Sequence, residues 1–216
     1  DGEVTYTSKY HPVSNTGTRY MNQYINFQYK SPDYEDLTEE QVNYITGRID
    51  QMENSLWSYR TDNASTYQEY LDVTNFIDYQ IAMELGHNVD AYRLSGKFYK
   101  RRDSVDARFK MVVWDMNLAY GNADYYQGWR TDTWMYKNNN TMNAAGDPQL
   151  IPFWWYKLNT DPTYTASLKA RWAQYRRSNL RQERVMATVD SLANVLTSHG
   201  AVTRNSEAWP RWGEYV

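Results

Sequence analysis

The chain contains no cysteine, which excludes disulfide bonds and cysteine-based metal sites. It has no apolar run near the ~20 residues that a membrane-spanning helix needs, so no transmembrane segment is expected. Its net charge of −3 is too small to indicate a nucleic-acid partner. Gly-x-Ser-x-Gly, His-Glu-x-x-His, Walker A and dinucleotide-binding motifs are all missing, so hydrolase, zinc protease and dehydrogenase activities have no support.

Aromatic residues, in contrast, are abundant. The 21 Tyr and 9 Trp bring the aromatic fraction to 16%, while the hydrophobic fraction of 41% is that of an ordinary globular protein. Tyr and Trp combine a large apolar area with a polar edge, so they suit protein or sugar contacts as well as cores. With 216 residues, the chain is long enough for one large domain, and we expect a single domain over residues 1–216.

The order of periodic segments predicts an α+β fold that is mainly helical. Residues 1–30 lack a helical period and are predicted to be extended segments and loops, with a strand within residues 24–29. A capping box starting at Thr38 predicts the first long helix, and a second is expected from near Asp72 to Gly86, which would take the left-handed conformation. Further helices are predicted from three later segments, at residues 151–155, 161–177 and 181–198, and loops are expected at 59–68 and 122–149.

A β-hairpin is predicted after the second helix, from residues 93–100 and 108–114. Antiparallel strands bring their outer ends together. Asp90, just before the first strand, can therefore lie near Asp115, just after the second. This convergence is the main functional signal in the sequence.

Two carboxylates and two amides would meet at those ends: Asp90 with Asn88, and Asp115 with Asn117. Carboxylate and amide oxygens suit Mg²⁺ and phosphate, and a kinase needs one Asp near the acceptor hydroxyl and another on the metal. The alternative is that these Asn and Asp residues only form turns. Lys100 and Arg93 are the candidate phosphate-binding cations, whereas His87 is expected to cap the second helix.

With these residues in view, the chain resembles the CotH family, named for a bacterial spore-coat protein and regarded as atypical protein kinases. The resemblance covers residues 20–216. It is carried by Phe76–Tyr79, Gly86–Asp90, Phe98–Lys100 and Val113–Asn122. The later segments Ile151–Trp155, Arg171–Trp172 and Arg204–Pro210 resemble the C-terminal helical region of the family.

The resemblance implies a helical domain like the C-terminal lobe of a kinase, with a small β-hairpin carrying the metal site. It implies phosphoryl transfer from ATP, with Mg²⁺, to Ser or Thr of a surface or coat protein outside the cytoplasm. Asp90 would bind metal or acceptor beside Asn88, and Asp115 would hold the metal. At Asn117 the family more often has Asp, and an amide binds Mg²⁺ more weakly.

The family's nucleotide-covering lobe, with its phosphate-binding lysine, has no counterpart in this sequence. Since the chain starts with Asp1 rather than Met, we expect a lobe excised from a longer protein and inactive alone. The alternative is a non-catalytic cell-surface module, with a decayed kinase site, that binds protein or glycan.

Overall fold

Two short strands open the computed structural model, which describes residues 4–58 and 67–209. Strand β1 (Thr5–Thr7) pairs antiparallel with β2 (Asn26–Gln28), so the strand predicted within residues 24–29 is present. The chain divides into two compact units, Asp1–Ser167 and Leu168–Val216. The loop expected at 59–68 lies mostly outside the described residues, and the prediction of a single domain stays a prediction.

Helix α1 (Glu39–Trp57) begins at the predicted capping box. The Thr38 hydroxyl accepts a hydrogen bond from the Gln41 backbone N–H, and the Gln41 side chain accepts one from the Thr38 backbone N–H. The buried apolar residues of α1 are spaced three or four apart: Ile49, Met52 and Leu56. Glu53 is fully buried beside them.

Helix α2 (Val73–Gly86) begins as predicted, with the Asp72 carboxylate accepting a hydrogen bond from a backbone N–H of its first turn. Its predicted end is wrong in one respect. His87, not Gly86, adopts the left-handed conformation, with φ of 48°. Gly86 is small for another reason: a Cβ there would lie 2.7 Å from Cε of Met116, in the segment that packs against the helix end.

The predicted hairpin is present but shorter. Strands β3 (Lys97–Lys100) and β4 (Phe109–Val112) are antiparallel, with Lys97 opposite Val112. The first strand does not begin at Arg93, because residues 93–96 form a turn instead. In that turn the Ser95 N–H donates to the Asp90 carbonyl at 3.0 Å, and the Gly96 N–H donates to the Arg93 carbonyl at 3.1 Å.

Strand β4 is fastened to the start of α2. The Asp72 N–H donates to the Phe109 carbonyl at 2.9 Å, and the Phe109 N–H donates to the Tyr70 carbonyl at 2.7 Å. The Asn75 side chain accepts from the Met111 N–H at 2.7 Å and donates to the Met111 carbonyl at 3.3 Å. These bonds fix the direction in which the hairpin leaves the helix, and therefore where its outer end lies.

Five further helices complete the described chain: α3 (Asn139–Ala144), α4 (Phe153–Thr160), α5 (Pro162–Arg176), α6 (Gln182–Ser198) and α7 (Ala201–Ala208). The last three predicted helices are therefore confirmed. Residues 122–149 are less irregular than expected, since they contain α3 and a 3₁₀ turn at Met135–Lys137. Over the described residues the protein is mainly helical with two small antiparallel sheets, and none of these helices is both long and apolar enough to cross a bilayer.

Trp155 of α4 forms the centre of an aromatic cluster in the core. Its ring lies 5.5 Å from Phe76 and 5.7 Å from Tyr79, both of α2, in stacked arrangements. Its closest aromatic neighbour is Tyr92, at 4.6 Å. Because Tyr92 follows Asp90 by two residues, this packing holds the segment before the hairpin on the core.

In the second unit, α6 has the apolar spacing of a buried helix, but its apolar residues are exposed. Val189, Leu192 and Leu196 are each more than half exposed, and Leu192 reaches 62%. The periodicity therefore predicted the helix but not its environment.

Candidate active site

Asn88 joins the two segments that were expected to converge. Its side-chain oxygen accepts a hydrogen bond from the Asp90 N–H at 3.1 Å, and its side-chain nitrogen donates to the Asp115 carbonyl at 2.9 Å. The residue has no exposed surface. One buried amide group therefore bridges the chain before β3 and the chain after β4. Its polar atoms are used in holding the site together.

The segment after β4 also packs on the end of α2. The Tyr120 N–H donates to the Gly86 carbonyl at 2.6 Å, and the space beside Gly86 is filled by Met116 and Ala119. A carbonyl at the end of α2, which has no partner within the helix, thus accepts a hydrogen bond from the segment that carries Asp115. This contact and the Asn88 bridge define the position of the Asp115 segment relative to Asp90.

Backbone strain is concentrated here. Throughout the described ranges, the non-glycine residues with positive φ all lie between positions 87 and 127: His87, Asp115, Tyr120, Tyr126 and Gln127. Such conformations cost of order 1 kcal/mol each and persist only where the surroundings enforce them. They cluster around the predicted site, and the one at His87 also ends α2.

Asp90 and Arg93 form an ion pair that is largely shielded from solvent. Nη2 of Arg93 lies 2.8 Å from Oδ1 of Asp90, and Nη1 lies 2.7 Å from Oδ2 of Asp147. The Arg93 side chain is only 5% exposed. The structure therefore places this candidate phosphate-binding cation beside Asp90, but with its charge already shared between two carboxylates.

Asp115 and Asn117 are exposed, and no residue in the described part of the chain bonds to their side-chain oxygens or to the Asn117 amide nitrogen. The Asn117 carbonyl accepts a hydrogen bond from the Asn122 side chain at 2.8 Å. Within residues 4–58 and 67–209, no three His, Asp or Glu side chains form a group that could hold a metal alone. Mg²⁺ commonly uses one or two carboxylates with water and substrate phosphates, and this donor set fits that mode.

Lys100 is not brought to this site. It stands at the opposite end of β3, where its ammonium pairs with Asp103, donates to the Arg101 carbonyl at 3.0 Å and lies 4.9 Å from the centre of the Tyr44 ring. These contacts close the connection between the two strands. A phosphate-binding role for Lys100 has no geometric support.

A comparison with known protein families gives a match. The model of the family described as CotH kinase protein matches residues 12–215, which is nearly the whole chain. The chain belongs to the CotH kinase family. No curated protein and no solved structure matches it. Family membership supports a kinase-like function and confirms the resemblance drawn from the motifs.

In this CotH kinase chain, the His87 side chain contacts two positions of the long loop. Its Nε2 lies 3.2 Å from the Gln127 carbonyl oxygen and 3.3 Å from the Thr133 hydroxyl. Burial lowers the pKa of His87, although the hydrogen bond with Gln127 acts in the opposite direction. A neutral imidazole that donates to a carbonyl is suited to fixing the loop at 127.

Glu84 was missed at the sequence level. Its carboxylate accepts hydrogen bonds from the Tyr92 hydroxyl at 2.8 Å and from the backbone N–H groups of Met135 and Tyr136 at 2.8 and 3.0 Å. Burial raises the pKa of Glu84, and these donors oppose that rise. Glu84 thereby fastens the long loop to α2. A single acidic residue near the end of a helix gives no sequence signal for this role.

Asp147 was also missed. It lies 54 residues after its partner Arg93, within a segment whose Gly and Pro neighbours indicate only a turn. Burial tends to raise the pKa of Asp147, but the Gln149 N–H, the Tyr126 hydroxyl and the Arg93 charge together lower it. The residue is therefore an anionic part of the Asp90 environment.

Exposed aromatic side chains lie on the loops of the site. Those that are more than half exposed are Trp114, Tyr120, Trp129 and Trp134. Tyr125 lies near Asp90: its pKa is raised mainly by burial, and next by the negative charge of Asp90. The candidate acid therefore borders a surface suited to contact with a large partner.

Proposed function

We propose that this chain is the metal- and acceptor-binding lobe of a CotH-type protein kinase. The full-length protein would transfer the γ-phosphate of ATP to a Ser or Thr hydroxyl of a surface or coat protein outside the cytoplasm. The observation that carries this proposal is the Asn88 bridge, which joins the Asp90 and Asp115 segments through one buried amide.

Asp90 has the environment expected of the acid that meets the acceptor. Arg93 occupies its Oδ1, while no partner from the described residues bonds to Oδ2. The free oxygen can accept the hydrogen bond of an incoming hydroxyl and orient it towards the phosphate.

Asp115 and Asn117 are the residues that would hold Mg²⁺ together with the phosphates of ATP. Bound Mg²⁺ would neutralise the charge that develops on the transferred phosphate group. Both side chains face solvent and can reach a ligand without losing protein contacts. The Asn117 amide contributes less attraction than a carboxylate, so we expect weaker metal binding than in relatives with Asp.

The nucleotide also needs a cover that excludes water. The sequence has no Gly-rich loop followed by a strand lysine, and Lys100 is engaged with Asp103. We therefore propose that another part of the full-length protein covers the phosphates. On this proposal, the 216-residue chain alone transfers phosphate poorly.

The test uses the full-length protein with Mg²⁺, γ-labelled ATP and a pool of Ser- and Thr-containing peptides. Asp115→Ala should lower labelling by about 100-fold or more, since it removes the carboxylate on the metal. Asp132→Ala is the matched control: Asp132 is exposed and pairs only with Arg130 among described residues, so labelling should persist. Equal labelling by wild type and Asp115→Ala would contradict the proposal.

A second candidate is the non-catalytic module that binds protein or glycan. It is favoured by the exposed Trp129 and Trp134, at 58% and 57%, and by the amide at Asn117. The same assay separates the two functions. A full-length protein that labels no acceptor, with or without Asp115, would favour the binding module.

A further inference from the structure

Both carboxylate oxygens of Asp147 are occupied. Oδ2 accepts hydrogen bonds from Nη1 of Arg93 at 2.7 Å and from the Tyr126 hydroxyl at 2.8 Å. Oδ1 accepts from the Gln149 N–H at 2.8 Å. Each oxygen of Asp147 is thus engaged by a group of the protein, so we expect its effect on the reaction to pass through these partners.

The principal partner is Arg93, which is held on several sides. Nη1 also donates to the Gln149 carbonyl at 3.0 Å, Nε donates to the Val89 carbonyl at 3.4 Å, and the guanidinium lies 5.3 Å from the centre of the Tyr126 ring. The planar guanidinium then directs Nη2 at Oδ1 of Asp90. Because the fork of an arginine is rigid, fixing one nitrogen fixes the direction of the other.

Tyr126, whose hydroxyl donates to Asp147, is itself held in place. Tyr126 and Gln127 keep left-handed backbone conformations, and the Asn138 side chain donates to the Tyr126 carbonyl at 2.6 Å. The Asp147 N–H donates to the Met142 carbonyl at 3.0 Å. Contacts within the long loop thus hold both Asp147 and its donor Tyr126.

From this chain of contacts we infer that Asp147 is a positioning residue for phosphoryl transfer. It fixes the Arg93 guanidinium, and Arg93 in turn fixes the Asp90 carboxylate. The inference rests on the proposed function. It implies that the reaction requires residues 122–149 to keep the position that they have in this structure. Asp147 itself touches neither acceptor nor nucleotide.

The first test compares Asp147→Asn with wild type in the full-length protein. We expect kcat to fall about 10-fold or more with KM for ATP changed less than about 2-fold, since a small misplacement of a reacting group can cost up to ~100-fold. Asp147→Glu, which keeps the charge, should recover part of the lost kcat. Asp132→Asn, on the exposed pair with Arg130, is the matched control and should keep wild-type kcat.

Tyr126→Phe provides a variant that disturbs the fold less. It removes the hydroxyl that donates to Asp147 and keeps the ring under Arg93. We expect kcat to fall about 3-fold, in the same direction as in Asp147→Asn. If thermal unfolding shows that Asp147→Asn does not fold, this variant decides the question. Full kcat in every folded variant of this set would overturn the inference.

A second measurement separates this inference from the proposed function. The Nη1 protons of Arg93, which donate to Asp147, should exchange slowly with water in wild type and rapidly in Asp147→Asn, as NMR of the arginine side chains would show. If wild type transfers no phosphate, the proposed function fails, and this measurement still tests the contact. Unchanged exchange in Asp147→Asn would then refute the positioning role.

Discussion

The N-terminal segment, residues 4–30, and the long loop, residues 122–149, are both mostly irregular, and a helix glutamate accepts hydrogen bonds from each. Glu53 of α1 accepts hydrogen bonds from the Ser8 hydroxyl at 2.6 Å and from the Trp154 indole N–H at 2.8 Å. Glu84 of α2 accepts from two backbone N–H groups of the loop and from the Tyr92 hydroxyl. The same side chain thus performs the same task in two places.

Glu53 and Glu84 differ in the type of group that donates hydrogen bonds to them. A hydroxyl can turn and become an acceptor, whereas a backbone N–H can only donate. We therefore expect a glutamine at position 53 to be tolerated, because the Ser8 hydroxyl can turn and accept a hydrogen bond from the new NH₂ group. We expect a glutamine at position 84 to be destabilising, because its NH₂ group would face a backbone N–H, which cannot accept. The comparison teaches that a buried acid is replaceable only as far as its donors are adaptable.

The largest expected effect comes from Glu84→Gln. One backbone donor, at Met135 or Tyr136, would lose its acceptor in a buried site, which costs about 3 kcal/mol of unfolding free energy. Labelling by the full-length protein should also fall, because the loop supports Asp147. Denaturant unfolding and the labelling assay would measure both, with Glu69→Gln, an exposed glutamate, as control. Wild-type stability in Glu84→Gln would break the comparison.

A smaller effect with a distinctive pH dependence is expected at Glu53. Burial raises the pKa of Glu53 from 4.5 to about 7, with a smaller contribution from the charge of Asp50 and in spite of the two hydrogen bonds. The folded state then keeps a proton that the unfolded state releases. The stability that this proton contributes is complete below about pH 4.5 and is lost as the pH rises through about 7.

That difference in pKa corresponds to at most roughly 3 kcal/mol, at about 1.4 kcal/mol for each pH unit between 4.5 and 7. Glu53→Gln should remove this pH dependence, since Gln cannot ionise. We expect the variant to match wild type at pH 4 and to be more stable by about 2 kcal/mol at pH 8. Unfolding free energies at the two pH values would test this. A variant that is less stable than wild type at pH 8 would show that Ser8 does not adapt.

The smallest effect is expected from Ser8→Ala. It removes the hydrogen bond to Glu53 and also the one that the Ser8 hydroxyl accepts from the Tyr10 N–H. The cost should be about 1 kcal/mol. Ser104→Ala, at an exposed position between β3 and β4, should change stability by less than about 0.5 kcal/mol. Equal losses of unfolding free energy in the two variants would mean that the hydrogen bond from Ser8 to Glu53 does not stabilise the fold.

Features set by neighbouring residues could be predicted from the sequence. The starts of α1 and α2 depend on Thr38, Gln41 and Asp72, all within one turn of the helices that they cap, and these predictions are confirmed. The hairpin was also predicted, because its strands are close in the chain. Its shorter first strand was not, because the turn after Asp90 depends on local hydrogen bonds that compete with strand pairing.

Features set by distant residues could not be predicted. Gly86 leaves space that Met116, 30 positions later, fills, and Arg93 meets Asp147 only through the path of the long loop. The exposed apolar row of α6 shows the same limit, because periodicity predicts which residues share a face but not what covers it. Of the candidate site, the sequence located Asp90, Asn88 and Asp115, while their supports Glu84 and Asp147 required the fold.

The Asn88 bridge has a dynamic consequence. Because one rigid, planar amide is bonded to the chain at Asp90 and to the chain at Asp115, thermal displacement of either segment carries the other with it. The spacing of the two acids should therefore fluctuate less than the distance of either acid from the remainder of the domain. With such correlated motion, the loops could open for a bulky acceptor while the distance between Asp90 and Asp115 stays nearly constant.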